Sequence, residues 1–128
     1  MDQLKRFLSE KKIVLSTQIL SHAGRTGILT SCVAPPVDWK QRELKLMIDT
    51  FHQQGMGTGF DLSELNDPVS TLIMLNQWSN EFDTKGSGFR PPASMATLSI
   101  YRPEIMKFIG AKLNADTQSM LWKFNLSV

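Results

Sequence analysis

Residues 38–55 read DWKQRELKLMIDTFHQQG and contain the clearest helical pattern in the chain. The apolar residues that recur at helical spacing in this segment are Leu44, Met47, Ile48 and Phe51. This spacing places them on one face of an amphipathic helix, with charged residues elsewhere around it. Asp38 is a good N-cap residue, and Gly55 is typical of the position that follows a helix. The segment therefore predicts a helix over residues 38–54.

Further helices and two strands are predicted on either side. Asp67-Pro68 combines a capping side chain with proline at the first helical position, which predicts a helix to about residue 82. Shorter helices are predicted over residues 2–12, from residue 103 onward and after Asp116. Two β-rich runs, residues 27–33 and 95–101, predict strands that would pair with each other as a small antiparallel element.

Together these elements predict one α+β domain over residues 1–128, mainly helical and with a small two-stranded element. An all-α fold is the alternative. Residues 13–23 are ambiguous, since they suit a helix as well as a strand. Residues 83–93 are rich in Gly and Pro and are predicted to form a loop, where a hinge or a mobile binding segment would lie.

Composition excludes several classes of protein. The chain has 128 residues, of which 41% are apolar and 20% are charged, as in ordinary globular domains. Its single cysteine, Cys32, cannot form an intramolecular disulfide, which favours a reducing compartment. The N-terminus lacks the continuous apolar stretch of a secretory signal, and no run approaches the ~20 residues that span a bilayer. We therefore expect a cytoplasmic protein with no membrane association.

Charge is distributed in three blocks along the chain. Residues 1–45 hold eight basic and four acidic residues, a net charge of +4. Residues 46–84 hold six acidic residues and no Lys or Arg, a net charge of −6. Residues 85–128 hold six basic and two acidic residues, a net charge of +4. Such asymmetry concerns partners rather than fold, and it permits complementary association between copies.

The residues that could carry chemistry have simpler interpretations. Gly55-Met56-Gly57-Thr58-Gly59 follows a predicted helix and has no Lys or Arg nearby, so it is interpreted as a flexible loop between helices rather than a phosphate-binding loop. The candidate metal ligands and catalytic side chains are His22, Cys32, Asp49 and His52. No third ligand stands at recognisable spacing, and Cys32 does not lie at a helix N-terminus that would activate it. The sequence predicts no cofactor, no metal and no enzymatic activity.

Two binding functions remain. The first is a non-enzymatic protein-interaction module, adaptor or regulatory, that self-associates. Its predicted partner-binding residues are Trp39, Met56, Phe89, Arg90, Met95, Tyr101 and Arg102. The alternative is a nucleic-acid-binding regulator, because aromatic residues stand beside Lys or Arg in both basic segments, as in single-strand readers. Its predicted phosphate-binding residues are Arg6, Lys11, Lys12, Arg90, Arg102, Lys107 and Lys123.

Overall fold

Strands and helices alternate along the chain in the computed structural model, which describes residues 2–15, 19, 24, 32–84 and 93–128, without the side chains of residues 83 and 84. The elements within these ranges, in chain order, are α1 (Asp2–Ser9), β1 (Cys32–Val33), α2 (Gln41–Gln53), β2 (Gly57–Asp61), α3 (Pro68–Thr84), β3 (Ser94–Thr97), α4 (Ile105–Ile109) and β4 (Phe124–Ser127). The chain divides into two compact units, Met1–Thr30 and Ser31–Val128. The prediction of a single domain stays a prediction.

The N-terminal unit contains the amphipathic helix α1. This helix ends at Ser9, earlier than the predicted residue 12, because Lys11 has a left-handed φ of +56°. The Lys12 N–H then donates to the Phe7 carbonyl at 2.9 Å, which closes the last helical turn. Arg6 and Lys12 both lie over the Phe7 ring and both pair with Glu10.

The C-terminal unit is a four-stranded sheet in which every described pair of strands is parallel, in the order β1-β2-β3-β4. Each strand is joined to the next by a segment that contains a helix, the usual connection between parallel strands. The core is one cluster drawn from α2, α3, α4 and one face of the sheet. Its buried members are Leu44, Ile48, Phe60, Leu62, Leu72, Leu75, Ala96, Leu98, Phe108, Ala111 and Phe124. The three helices therefore cover the same face of the sheet.

The predicted fold class is wrong. The chain was expected to be α+β and mainly helical, with an antiparallel two-stranded element, or all-α; its C-terminal unit is α/β with a four-stranded parallel sheet. The strand predicted at residues 95–101 exists as β3, but its partners are β2 and β4. Of the run predicted at residues 27–33, Cys32 and Val33 form β1, while residues 27–31 lie outside the described ranges.

Two strands were misinterpreted for identifiable reasons. The glycine segment expected to be a loop contributes Gly57 and Gly59 to β2, although glycine normally weakens a strand. The C-terminal segment expected to be helical forms turns and then β4, which is only four residues long. Neither strand is long enough to establish a convincing two-residue period from sequence.

The two long helices confirm the predicted helices, apart from the start of α2. Helix α2 lies within the predicted range and is followed by Gly55, whose φ of +72° ends the helix. The predicted N-cap, Asp38, is wrong, because the helix begins at Gln41 with Lys40 at the N-cap position and without a side-chain cap. Helix α3 begins at Pro68, and the Asp67 carboxylate accepts hydrogen bonds from the Ser70 N–H and hydroxyl at 3.1 and 2.7 Å. None of the helices in the described ranges combines the length and the apolar character needed to cross a bilayer.

Candidate interaction surface

On the face of the sheet opposite the core, none of the described residues is buried. Because paired residues of parallel strands point to the same side, the register assigns eight residues to this open face: Cys32, Gly57, Gly59, Asp61, Met95, Thr97, Asn125 and Ser127. Met95 is 46% exposed, and Cys32 and Asn125 are also exposed. A Cβ atom built at Gly59 would have no heavy atom within 4 Å. The alternate residues of the same strands, Phe60, Ala96 and Phe124, are buried under the helices.

An open face is unusual for this kind of sheet. Parallel sheets occur almost only where both faces are covered, because helical crossovers or barrel closure bury them. Here the core packs α2, α3 and α4 on one face, and no residue that the structure describes on the other face is buried. The open face is therefore the surface where the fold has the strongest physical reason to receive a partner.

Two glycines flatten the centre of the open face. Gly59 pairs with Met95, which pairs in turn with Asn125. This row across the sheet therefore contains a residue without a side chain, then a long apolar side chain, then an amide. Gly57 and Gly59 leave the backbone of β2 uncovered, which allows another backbone to approach closely. Met95 supplies an adaptable apolar contact beside this flat strip.

The carboxyl end of β2 carries an ordered polar network. Asp61 Oδ1 accepts hydrogen bonds from the Ser63 N–H at 3.0 Å and from the Ser63 hydroxyl at 2.6 Å. The Ser63 Oγ accepts in turn from the Ser99 N–H at 2.9 Å, so the loops after β2 and β3 are tied together. The hydroxyl of Ser63 and then its N–H lower the pKa of Asp61, so this carboxylate is a fixed negative charge at neutral pH.

A crevice of about 440 Å³ lies beside this network, between residues 34–38 and the end of β2. Its charged lining residues are Asp38, Asp61 and Glu64, all acidic. Across the part of the chain that the structure describes, no three His, Cys, Asp or Glu side chains form a group suited to a metal ion. The crevice therefore contributes an acidic rim to the open face, next to β1.

The edge of the sheet at β4 is bordered by a groove of about 650 Å³, lined by Phe108, Ile109, Lys112, Leu126 and neighbouring residues of β4. The carbonyl of Ser127 accepts from the Leu98 N–H at 3.2 Å and so points toward β3. Because successive peptide groups alternate in direction along a strand, the N–H and carbonyl of Leu126 point away from β3. This edge offers backbone hydrogen-bonding groups above an apolar groove.

A chain of polar side chains lies inside the core. His52 Nε2 and Thr58 Oγ1 are 3.1 Å apart, and Thr58 Oγ1 and Ser94 Oγ are 3.0 Å apart. All three residues are buried, and the His52 ring packs edge-on against Phe82 with centroids 5.5 Å apart. Cys32 points to the open face, whereas His52 contacts the core face, so the sheet separates these two candidate catalytic groups. His22 lies outside the described residues.

The predicted partner-binding residues are scattered. Met95 lies on the open face, Trp39 is half-exposed just before α2, and Tyr101 is 94% exposed in the loop after β3. Met56 is only 2% exposed and belongs to the interior. Arg102 is engaged within the chain, since it pairs with Glu104 and donates to the Leu65 carbonyl at 2.9 Å. Phe89 and Arg90 lie outside the described ranges.

The predicted phosphate-binding residues are divided between the two units. Arg6, Lys11 and Lys12 belong to the N-terminal unit, and two of them pair with Glu10. In the C-terminal unit, Lys107 is exposed on α4 and Lys123 precedes β4. Arg102 pairs with Glu104, and Arg90 lies outside the described ranges.

Several surface residues now of interest were not selected from sequence. The sequence predicts a loop at Gly59 and does not single out Asn125 or Ile109 as contact residues. The signal was present in Gly57-Thr58-Gly59-Phe60, where residues without side chains alternate with residues that are buried. Recognising it requires knowing that the segment is a strand, which its glycine content disguises.

Sequential parallel strands with helices on one side define the class: a singly wound α/β sheet, the arrangement from which α/β barrels are built. Comparison with known proteins adds no relative, since no protein-family model, no curated protein and no solved structure matches this chain. The structural indications of function are therefore the open face and the two edges of the sheet.

Proposed function

We propose that this chain is a small, non-enzymatic protein-interaction module that self-associates through the open face of its sheet, in a reducing intracellular compartment. The single observation that carries the proposal is that none of the eight described residues on one face of an all-parallel sheet is buried, with Gly59 and Met95 at the centre of that face. Such faces are normally buried.

The residues of the open face, the buried polar side chains and the single cysteine support the same proposal. The open face combines a flat glycine strip with one flexible apolar side chain, which suits contact with another backbone better than the enclosure of a small molecule. The polar groups that resemble catalytic machinery, His52, Thr58 and Ser94, are buried among themselves and do not face the open surface. The single Cys32, exposed and unable to form an intramolecular bridge, is compatible with a reducing compartment.

Sedimentation equilibrium of the full chain tests the proposal. We expect the mass to rise above 14.4 kDa as the concentration increases from about 1 µM to 1 mM. Met95→Asp introduces a charge on the open face and should weaken association by about tenfold or more. Leu46→Asp is the matched control, because Leu46 is 69% exposed on α2, away from the sheet. A mass of 14.4 kDa at every concentration, or equal weakening by both variants, would reject self-association through this face.

Nucleic-acid binding is the second candidate. It is favoured by the C-terminal segment 93–128, which contains four basic and two acidic residues and in which Tyr101 is 94% exposed. Stacking on an exposed ring beside basic side chains is how single strands are held without sequence preference. Binding of a labelled single-stranded oligonucleotide should weaken as salt rises, and Lys107→Glu should reduce the slope. No binding at low salt would reject this function.

A further inference from the structure

We propose that two copies of this chain join head to tail, β4 of each pairing in parallel with β1 of the other, and close the two open faces into one eight-stranded barrel. The inference rests on the proposed function and adds the partner, the edges and the symmetry of the complex. Four observations on the described residues carry it: β1 and β4 each pair with one strand, the segments that contain them have opposite net charge, a groove lies beside β4, and the helices of the core cover one face.

The free edges are complementary in direction. Within the described part of the sheet, β1 pairs only with β2, and β4 pairs only with β3. A strand that continues the all-parallel sheet beyond β4 runs parallel to it and has its own opposite edge available. The first strand of a second copy, β1, meets both conditions. The outward N–H and carbonyl of Leu126 supply the hydrogen-bonding groups at this junction.

The two halves of the sheet carry opposite charge. Residues 32–84, which contain β1 and β2, hold eight acidic and three basic residues, a net charge of −5. Residues 93–128, which contain β3 and β4, hold four basic and two acidic residues, a net charge of +2. In the loop after β1, Asp38 lines the acidic crevice at the end of β2, and Lys112 lines the groove beside β4. Head-to-tail contact therefore brings a segment of net negative charge against one of net positive charge.

The groove beside β4 has the place and the chemistry of a docking position. In the order β1-β2-β3-β4, each strand before β4 pairs with the strand that follows it. The groove of about 650 Å³ lies beyond β4, where a fifth strand would pair. Ile109 is 52% exposed at its wall, although Phe108 beside it is fully buried. An adjoining strand and the chain around it would cover this apolar wall.

The one-sided helical layer determines how the pair closes. A twisted parallel sheet with helices on one face curves toward the other face, and eight strands inside a ring of helices is the size at which such sheets close. Two copies related by a two-fold axis form both β4–β1 junctions at once and leave no open edge. Cys32, Gly59, Met95 and Asn125 of each copy then line the interior.

Paired substitutions on α4 and the turn after it test the arrangement by sedimentation equilibrium of the full chain. Lys112→Glu reverses a charge in the β4 groove, and Lys107→Glu makes the same net change in a groove formed by α3 and α4. Ile109→Lys and the more exposed Met106→Lys form a second matched pair on the same helix. Lys112→Glu and Ile109→Lys should each weaken association by about tenfold or more, and their controls by at most about twofold.

The outcomes separate this inference from the proposed function. A wild-type mass of twice 14.4 kDa with the expected sensitivity supports the closed pair. Association that is equally insensitive in all four variants overturns the edge pairing but leaves self-association standing. A mass that grows without limit overturns the two-fold closure, because it indicates an open head-to-tail chain. A wild-type chain that stays at 14.4 kDa rejects the proposed function itself.

Discussion

Replacement of Gly59 by alanine should stabilise the monomer. Gly59 lies inside β2, its backbone is not in the left-handed region, and the added Cβ would meet no atom within 4 Å. The folded state then pays no steric penalty, whereas the unfolded chain loses the extra freedom of glycine. Gly55→Ala should have the opposite effect, because Gly55 holds a φ of +72° that alanine adopts only with strain.

The magnitudes follow from these two environments. Gly59→Ala should raise the free energy of unfolding by about 0.5–1 kcal/mol. Gly55→Ala should lower it by roughly 1–2 kcal/mol. For 128 residues, an unfolding entropy of ~2.1 cal/mol/K per residue makes 1 kcal/mol equivalent to about 4 °C in Tm. The expected shifts are therefore about +2 to +4 °C for Gly59→Ala and roughly −4 to −8 °C for Gly55→Ala.

Urea unfolding and thermal melts of both variants, at a concentration where the chain is monomeric, measure these shifts. The dilution matters because association would stabilise the folded state by mass action and obscure the difference. A strained site costs about 1 kcal/mol or more. If Gly59→Ala lowered the free energy of unfolding by that amount, the added Cβ would be in steric conflict with other atoms of the chain. The open face would then be covered within the monomer, and the reasoning would be refuted.

Three further predictions concern the supports of the sheet, and urea unfolding of the single variants checks each of them. Asn76→Ala should lower the free energy of unfolding by roughly 2–3 kcal/mol, because the buried amide donates to the Leu121 carbonyl at 3.0 Å and accepts from the Lys123 N–H at 2.8 Å. A decrease below about 1 kcal/mol would show that these two hydrogen bonds ahead of β4 contribute little. Thr58→Val should cost about 1–3 kcal/mol by removing the hydroxyl that joins two other buried polar side chains, and an unchanged midpoint would contradict that role. Asp67→Ala should cost about 1 kcal/mol at neutral pH. Hydrogen bonds from the Ser70 hydroxyl and then the Ser70 N–H lower the pKa of Asp67 below its unfolded value of 3.8. The stabilisation by this carboxylate is therefore present above pH 3.8 and is lost as the pH falls through the folded-state pKa. Wild type and variant should therefore converge once the pH lies below the folded-state pKa of Asp67, and a difference that persists in strong acid would exclude the carboxylate as its source.

The helices could be predicted because their signals are local. The apolar spacing within α2 and the Asp67-Pro68 start of α3 act within a few residues, and the structure follows both. Residue 55 ends α2 through a positive φ, as a glycine after a helical stripe predicts.

The sheet could not be predicted in the same way because its determinants are not local. β1 and β4 have two and four described residues, and β2 contains two glycines, so none has the length or composition that identifies a strand. Parallel pairing also joins residues more than twenty positions apart, such as Phe60 and Ala96, and no local pattern records it. The same limit hid the open face, since Gly59, Met95 and Asn125 become neighbours only through that pairing.

The charge blocks acquire a location in the folded chain. The six acidic residues between positions 46 and 84 belong to the segment that contains β2 and α3, and residues 93–128, which contain α4 and β4, hold four basic and two acidic residues. Opposite charge on opposite halves is an arrangement that favours head-to-tail contact between copies.

The reaction of Cys32 with iodoacetamide, followed as a function of protein concentration, tests the central claim most directly. Cys32 is the one cysteine in the sequence, it is exposed, and it lies on the open face at β1. If two copies bury this face, the rate should fall as the dimer forms, and Lys112→Glu should restore the rate of the monomer. A rate that stays constant while the mass doubles would place the interface elsewhere and contradict the account.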